Sequence, residues 1–125
     1  ERLKEVGGNV DYERFYEEVI QGLKSGQEFA YRPYNCQTMT LGDAIYVQPK
    51  KLNIIEGVYS MHPRLIDFYD LKVFLSIDPE EQSRRILERN GPVMHQRFIN
   101  EWIPLENRYF EAAKIREKCD LIFET

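Results

Sequence analysis

The chain has 125 residues, 42% hydrophobic and 30% charged, with a formal net charge of -4 at pH 7. That is one domain's worth of chain with a globular composition, which argues against wholesale disorder and against a second core. The acidic balance disfavours nucleic acid as a partner, since phosphate-backbone binding needs a basic stripe, and no apolar run nears the ~20 residues of a membrane span.

The polar start Glu1-Arg2-Leu3-Lys4 has no signal-peptide character, so cytoplasm is the expected compartment. Only two cysteines occur, Cys36 and Cys119, without a CxxC pair or a nearby histidine. Neither a disulfide scaffold nor a structural zinc site is indicated, and both are expected as free thiols, with Cys119 partly buried before the last strand.

In chain order, a loop containing Gly7-Gly8-Asn9-Val10 leads to Asp11, which can cap a helix carrying Phe15, Val19 and Leu23 at helical spacing until Ser25-Gly26 stops it. Two β-prone pieces follow, 28–34 and 44–48, with the alternation of a hairpin. Leu52-Asn53-Ile54-Ile55-Glu56 reads as a buried parallel strand that delivers Glu56 to the open carboxyl edge of a sheet, where α/β proteins bind ligands. An acid there can hold Mg²⁺ beside a nucleotide phosphate; it can equally be a solvated strand end or the partner of a helix N-terminus. Residues 62–69 read as a short helix and 71–77 as a second strand. Asp78-Pro79-Glu80-Glu81 combines a cap, a first-turn proline and two acids suited to the positive helix end, and Asn90-Gly91-Pro92 ends that helix. A helical pattern resumes from Val93 through Trp102, Pro104 opens or kinks a last helix, and 120–123 closes as a strand. Strands alternating with long helices imply parallel pairing in an α/β sheet.

Six pieces, taken together and in this order, resemble the uridine kinase family, a branch of the P-loop nucleoside kinases related to phosphoribulokinase. They are Gly7-Gly8-Asn9-Val10-Asp11-Tyr12-Glu13-Arg14-Phe15, Tyr31-Arg32-Pro33-Tyr34, Ile54-Ile55-Glu56-Gly57-Val58-Tyr59, Asp70-Leu71-Lys72-Val73-Phe74-Leu75, Arg84-Arg85-Ile86-Leu87-Glu88-Arg89 and Glu101-Trp102-Ile103-Pro104-Leu105-Glu106. The resemblance implies a parallel-sheet P-loop NTPase fold and Mg²⁺-dependent transfer of the γ-phosphoryl group of ATP to a hydroxyl of a nucleoside or similar small molecule. It also implies a gap. Such kinases open with a strand leading into GxxxxGK[ST], whereas the glycines here, at 7, 8, 22, 26, 42, 57 and 91, never begin that motif. On this reading residues 1–125 are a single domain, the C-terminal two-thirds of a nucleoside kinase-like domain without its first strand and P-loop, and inactive alone. The reading from another class is a non-catalytic remnant that binds a small anionic ligand or a protein partner; a GxxxxGK[ST] encoded upstream separates the two. A sheet lacking an inner strand exposes edges that invite pairing, so a homo-oligomer is a further expectation.

Residue by residue, the resemblance assigns Glu56 to Mg²⁺. Arg85 falls on a lid arginine that closes over the phosphates, with Arg89 beside it and Arg84 and Arg97 as neighbours. Against this, Glu80, Glu81 and Glu88 stand at spacings that favour surface ion pairs on the same helix. Asp11 falls near the sugar-contacting stretch, although a helix cap already accounts for it, and Tyr34 corresponds to an aromatic that lines the base pocket. Met39 stands where a histidine reading a pyrimidine edge is frequent. His62 before Pro63 reads as a surface or capping residue, His95 has no partner evident in the sequence, and Phe98, Trp102 and Tyr109 read as core.

Overall fold

The computed structural model describes residues 5–125, so the polar start Glu1-Arg2-Leu3-Lys4 lies outside the described residues. The chain divides into two compact units, one of residues up to Val10 together with 61–125, the other of residues 11–60.

In the unit of residues 11–60, Asp11 does cap a helix: its carboxylate accepts from the Arg14 N–H at 3.1 Å. This helix, α1, runs as Tyr12–Phe15, a π turn Tyr16–Ile20 and Gln21–Ser25, and stops at Gly26 in the left-handed conformation, φ 68. Ile20 anchors it as a fully buried residue. Gly22 lets the helix approach the next strand closely, because a Cβ there would lie 2.3 Å from Cγ of Phe29. The expected hairpin forms: β1 (Phe29–Tyr31) pairs antiparallel with β4 (Ile45–Val47), Phe29 opposite Val47. Between them β2 (Tyr34–Asn35) and β3 (Thr40–Leu41) make a smaller antiparallel pair. The Asn35 carboxamide closes its loop by accepting from the N–H groups of Gln37 (2.8 Å) and Thr38 (3.2 Å).

The stretch Leu52-Asn53-Ile54-Ile55-Glu56 does not form the buried parallel strand expected of it. Among the described residues it pairs with no strand, and Leu52 and Ile54 are 76% and 81% exposed. Two causes act together. The Asn53 carboxamide bonds both backbone groups of Lys50, accepting from its N–H at 3.0 Å and donating to its C=O at 2.9 Å, and so holds residues 50–53 in a local turn. An apolar run also becomes a central strand only where a neighbouring ladder takes up its backbone groups.

In the other unit, the carbonyl of His62 receives the N–H groups of Leu65 (2.7 Å) and Ile66 (2.9 Å), leading into a 3₁₀ turn, Ile66–Phe68, where the sequence suggests a short helix. Next, β5 (Val73–Ser76) pairs parallel with β6 (Leu121–Glu124), Val73 opposite Leu121 and Ser76 opposite Glu124. The Lys72 N–H donates to the Asp120 carboxylate at 2.9 Å and fixes that register at its start. Helix α2 (Pro79–Arg97) begins as expected, with Asp78 accepting from the N–H groups of Glu80 and Glu81. It breaks at Gly91, whose φ of 82 and ψ of 171 lie in a region essentially restricted to glycine, leaving two arms, 79–90 and 92–97. A π turn, Phe98–Trp102, joins the second arm to α3 (Ile103–Ala112). The widened turn suits Pro104, which has no N–H to donate to the preceding turn and whose ring crowds it. A single turn, α4 (Ile115–Lys118), precedes β6.

The core of this unit is Leu65, Ile66, Ile86, Tyr109 and Ile115. Alternation along β5 puts Phe74 edge-on against Phe110 of α3, ring centroids 5.1 Å apart, while its neighbour Leu75 is 62% exposed. One face of the parallel pair is therefore covered by helix. Leu75, Leu121, Ile122 and Phe123 leave apolar surface open.

Candidate functional site

Asp11, Tyr34 and Glu56 all belong to the unit of residues 11–60. Asp11 stands at one end of a chain of polar contacts that reaches the β2–β3 pair on which Tyr34 sits. Asp11 caps α1 through the Arg14 N–H; the Arg14 guanidinium donates to the carbonyl of Arg32; and Arg32 donates its Nε to the Gly42 carbonyl at 2.8 Å, closing β2 and β3 together at their base. Arg14 is itself fixed by Glu18, 2.6 Å away. Tyr34, 49% exposed, follows Arg32 by two residues and offers an open ring for stacking. Met39 sits at the hairpin tip with φ 55, its side chain 75% exposed. Glu56 is exposed and directly precedes a turn in which the N–H and hydroxyl of Ser60 donate to the Gly57 carbonyl at 3.2 and 2.8 Å. The turn rather than a strand sets where this carboxylate stands.

The arginines belong to the other unit and are engaged along α2. Arg84 forks onto Glu81 (2.7 and 2.9 Å) and reaches Glu88 at 3.0 Å. Arg85 shares Glu81 at 2.8 Å and donates to the Thr125 carbonyl at 3.2 Å. Arg89 donates to the Asn90 carboxamide at 2.7 Å, and Arg97 pairs with Glu101 while covering the Trp102 ring. The pairs of Arg84, Arg85 and Arg97 with glutamates are the ion pairs that spacings of three and four on a helix favour; the partner of Arg89 is the neutral carboxamide next to it. Hydrogen bonds from Arg84, then Arg85, hold the Glu81 carboxyl at about 2, well below its ordinary value. A lowered native pKa makes its stabilising contribution present above the ordinary carboxylate range and lost as pH falls through about 2, so both pairs persist at any assay pH. Carbon-detected NMR of the Glu81 side chain should therefore show no titration between pH 8 and 4, and Arg84→Ala should move its midpoint back toward the ordinary range.

Two histidines sit differently from their sequence reading. His62 is buried rather than on the surface, its Nδ1 accepting from the Arg64 N–H at 3.1 Å and its ring stacked at 17° with Tyr109. His95 faces Ser83, 2.6 Å from its hydroxyl. Sequence reasoning passed over Ser83, Arg14 and Arg32. Only the Arg14–Glu18 spacing carried a signal, whereas the bridges to Arg32 and across Gly91 depend on how the chain folds back.

Both cysteines are free thiols, Cys36 exposed and Cys119 half-buried, as expected. Among the described residues no cluster of three or more His, Cys, Asp or Glu side chains could hold a metal ion, and no helix is long and apolar enough to cross a membrane. A lone hard carboxylate such as Glu56 suits Mg²⁺, which keeps several waters and binds through one or two carboxylates plus substrate phosphates rather than in a protein cage.

Comparison with known proteins gives a consistent picture. The model of the "Phosphoribulokinase / Uridine kinase family" matches residues 7–91, well over half of the chain. A uridine kinase of Bacillus mycoides (strain KBAB4) is 31% identical over 78 residues, covering 56% of this chain and 37% of the relative. A uridine kinase of Bacillus cereus (strain AH187) is 27% identical over 106 residues, covering 78% of this chain and 50% of the relative. The chain thus spans half or less of the length of these curated relatives.

Proposed function

Since the chain belongs to the phosphoribulokinase and uridine kinase family, which implies a P-loop NTPase fold, we propose that it forms part of a kinase that transfers the γ-phosphoryl group of ATP to a hydroxyl of a nucleoside or related small compound. The carrying observation is the family match over residues 7–91, an interval that contains Asp11, Tyr34, Glu56, Arg85 and Arg89. The open apolar surface on β5 and β6 supports the same reading, because parallel sheets are ordinarily covered on both faces, and here Leu75 and Phe123 are 62% and 52% exposed. Both units are then parts of one nucleoside kinase-like domain, and its remaining sheet and GxxxxGK[ST] loop come from sequence outside these 125 residues.

The roles follow from what phosphoryl transfer asks of a protein, which is positioning and neutralisation of charge on the transferring oxygens. Glu56 holds Mg²⁺, which when bound neutralises phosphate charge. Asp11 accepts from sugar hydroxyls with whatever capacity its cap bond leaves, and Tyr34 stacks on the base. Arg85 and Arg89 move onto the phosphates. Their present partners do not forbid this: the exposed ion pair of Arg85 with Glu81 is worth about 0–1 kcal/mol, Arg89 is bonded to a neutral carboxamide, and a triphosphate offers arginine more charge and bidentate geometry than either.

The test is phosphoryl transfer from γ-labelled ATP to a panel of nucleosides by the intact gene product, beside this 125-residue chain alone. Mg²⁺-dependent labelling of at least one nucleoside by the intact protein and none by the isolated chain is the expected result. An intact protein that binds a nucleoside or an anion but labels none would instead favour the non-catalytic reading.

A further inference from the structure

The hydroxyl of Ser83 and Nε2 of His95 lie 2.6 Å apart although the residues are twelve positions apart within α2, on opposite sides of Gly91. In a straight helix that interval spans about 18 Å along the axis, far beyond what a serine and a histidine side chain can bridge. The contact exists only because the chain turns back at Gly91, where φ 82 and ψ 171 demand a residue without a Cβ. Nothing lies within 4 Å of where a Gly91 Cβ would stand, so local crowding does not hold the bend. Something else must fix its angle, and the half-buried Ser83–His95 bond is the polar contact that spans it.

We infer that Ser83 and His95 are positioning residues, a clasp that holds arm 79–90 against arm 92–97 and thereby sets where Arg85 and Arg89 point. The chemistry suits a clasp better than a switch. A neutral Nε2 accepts the serine proton, and an Nε2–H donates to the serine lone pair, so the bond survives a change of tautomer or of protonation. A nucleophile–base pair would need a further group orienting the imidazole; among the described residues no side chain is bonded to His95 Nδ1. That the positioned arginines serve phosphate rests on the kinase reading. The clasp itself does not.

The experiment measures amide hydrogen exchange across residues 79–102 in the intact protein without nucleotide, for wild type, Ser83→Ala, His95→Ala and the conservative Ser83→Thr. Alanine suits a helix interior, so Ser83→Ala should fold. Either truncation is expected to speed exchange in both arms about fivefold, with Ser83→Thr restoring wild-type protection and the double variant no faster than either single one. Unchanged exchange in both truncations, or effects that add in the double variant, would overturn the clasp. In the same proteins the KM for ATP should rise in Ser83→Ala and recover in Ser83→Thr; faster exchange with an unmoved KM would overturn the positioning role alone. If the wild type transfers no phosphate, exchange still decides the clasp.

Discussion

Glu56→Gln in the intact protein is expected to lower kcat for nucleoside phosphorylation by about 10²–10³-fold, the usual loss when one preorganised electrostatic contact to the reacting oxygens is removed. Glutamine preserves the side chain's size and its capacity to hydrogen-bond but takes away the charge that a divalent cation requires. Because Glu56 is exposed and precedes a turn held by Ser60 and Gly57, the exchange should leave thermal stability within about 0.5 kcal/mol of wild type, as for ordinary surface substitutions. The fingerprint is a higher Mg²⁺ concentration for half-maximal rate, together with weaker Mg·ATP binding by calorimetry. A variant with unaltered turnover and Mg²⁺ dependence would remove this carboxylate from the chemistry and leave it a solvated surface acid.

What the sequence made legible, and what it hid, divides along the range of the interactions involved. Local chemistry was readable: Asp11 and Asp78 cap their helices, Gly26 stops α1, and Gly91 breaks α2. Each depends on residues close together in the chain, where side-chain hydrogen bonding and backbone freedom decide the conformation. The parallel pairing of β5 with β6 also followed, because long helices between strands leave few alternatives. The segment ending at Glu56 shows the limit. Its apolar run signalled a buried strand, but burial is a property of neighbours, and the Asn53 carboxamide binds locally to Lys50 instead. The site divides the same way. The Arg84 and Arg85 pairs with Glu81 were visible as spacings, whereas the Ser83–His95 bond and the bridge from Arg14 to Arg32 require folds that no short-range pattern encodes.

Tyr109→Ala should be the most destabilising single truncation in the unit that carries the arginines. Its ring is fully buried and joins three parts of that unit. It stacks with His62 at a centroid distance of 6.5 Å, tilts against Phe110 at 5.4 Å, and through Phe110 reaches Phe74 of β5. Gly7 approaches from the remaining side so closely that a Cβ there would stand 3.2 Å from Tyr109 Cδ2 and 2.9 Å from His62 Cδ2. Truncation therefore leaves a cavity whose walls belong to the Gly7 loop, the His62 turn and the helix itself, and no single element can relax to fill it. Removing a large buried aromatic costs about 3–5 kcal/mol. Set against a domain stability of about 5–15 kcal/mol, that is enough to populate the unfolded state measurably. Urea denaturation of the intact protein should show a midpoint lowered accordingly, with Tyr109→Phe, which retains the ring, losing far less. Should Tyr109→Ala unfold within about 1 kcal/mol of wild type, below the range for buried aromatics, the ring would not be the centre of this core. The register that β5 and β6 present would then have to be held by the Lys72–Asp120 contact and the Phe74–Phe110 pair without it.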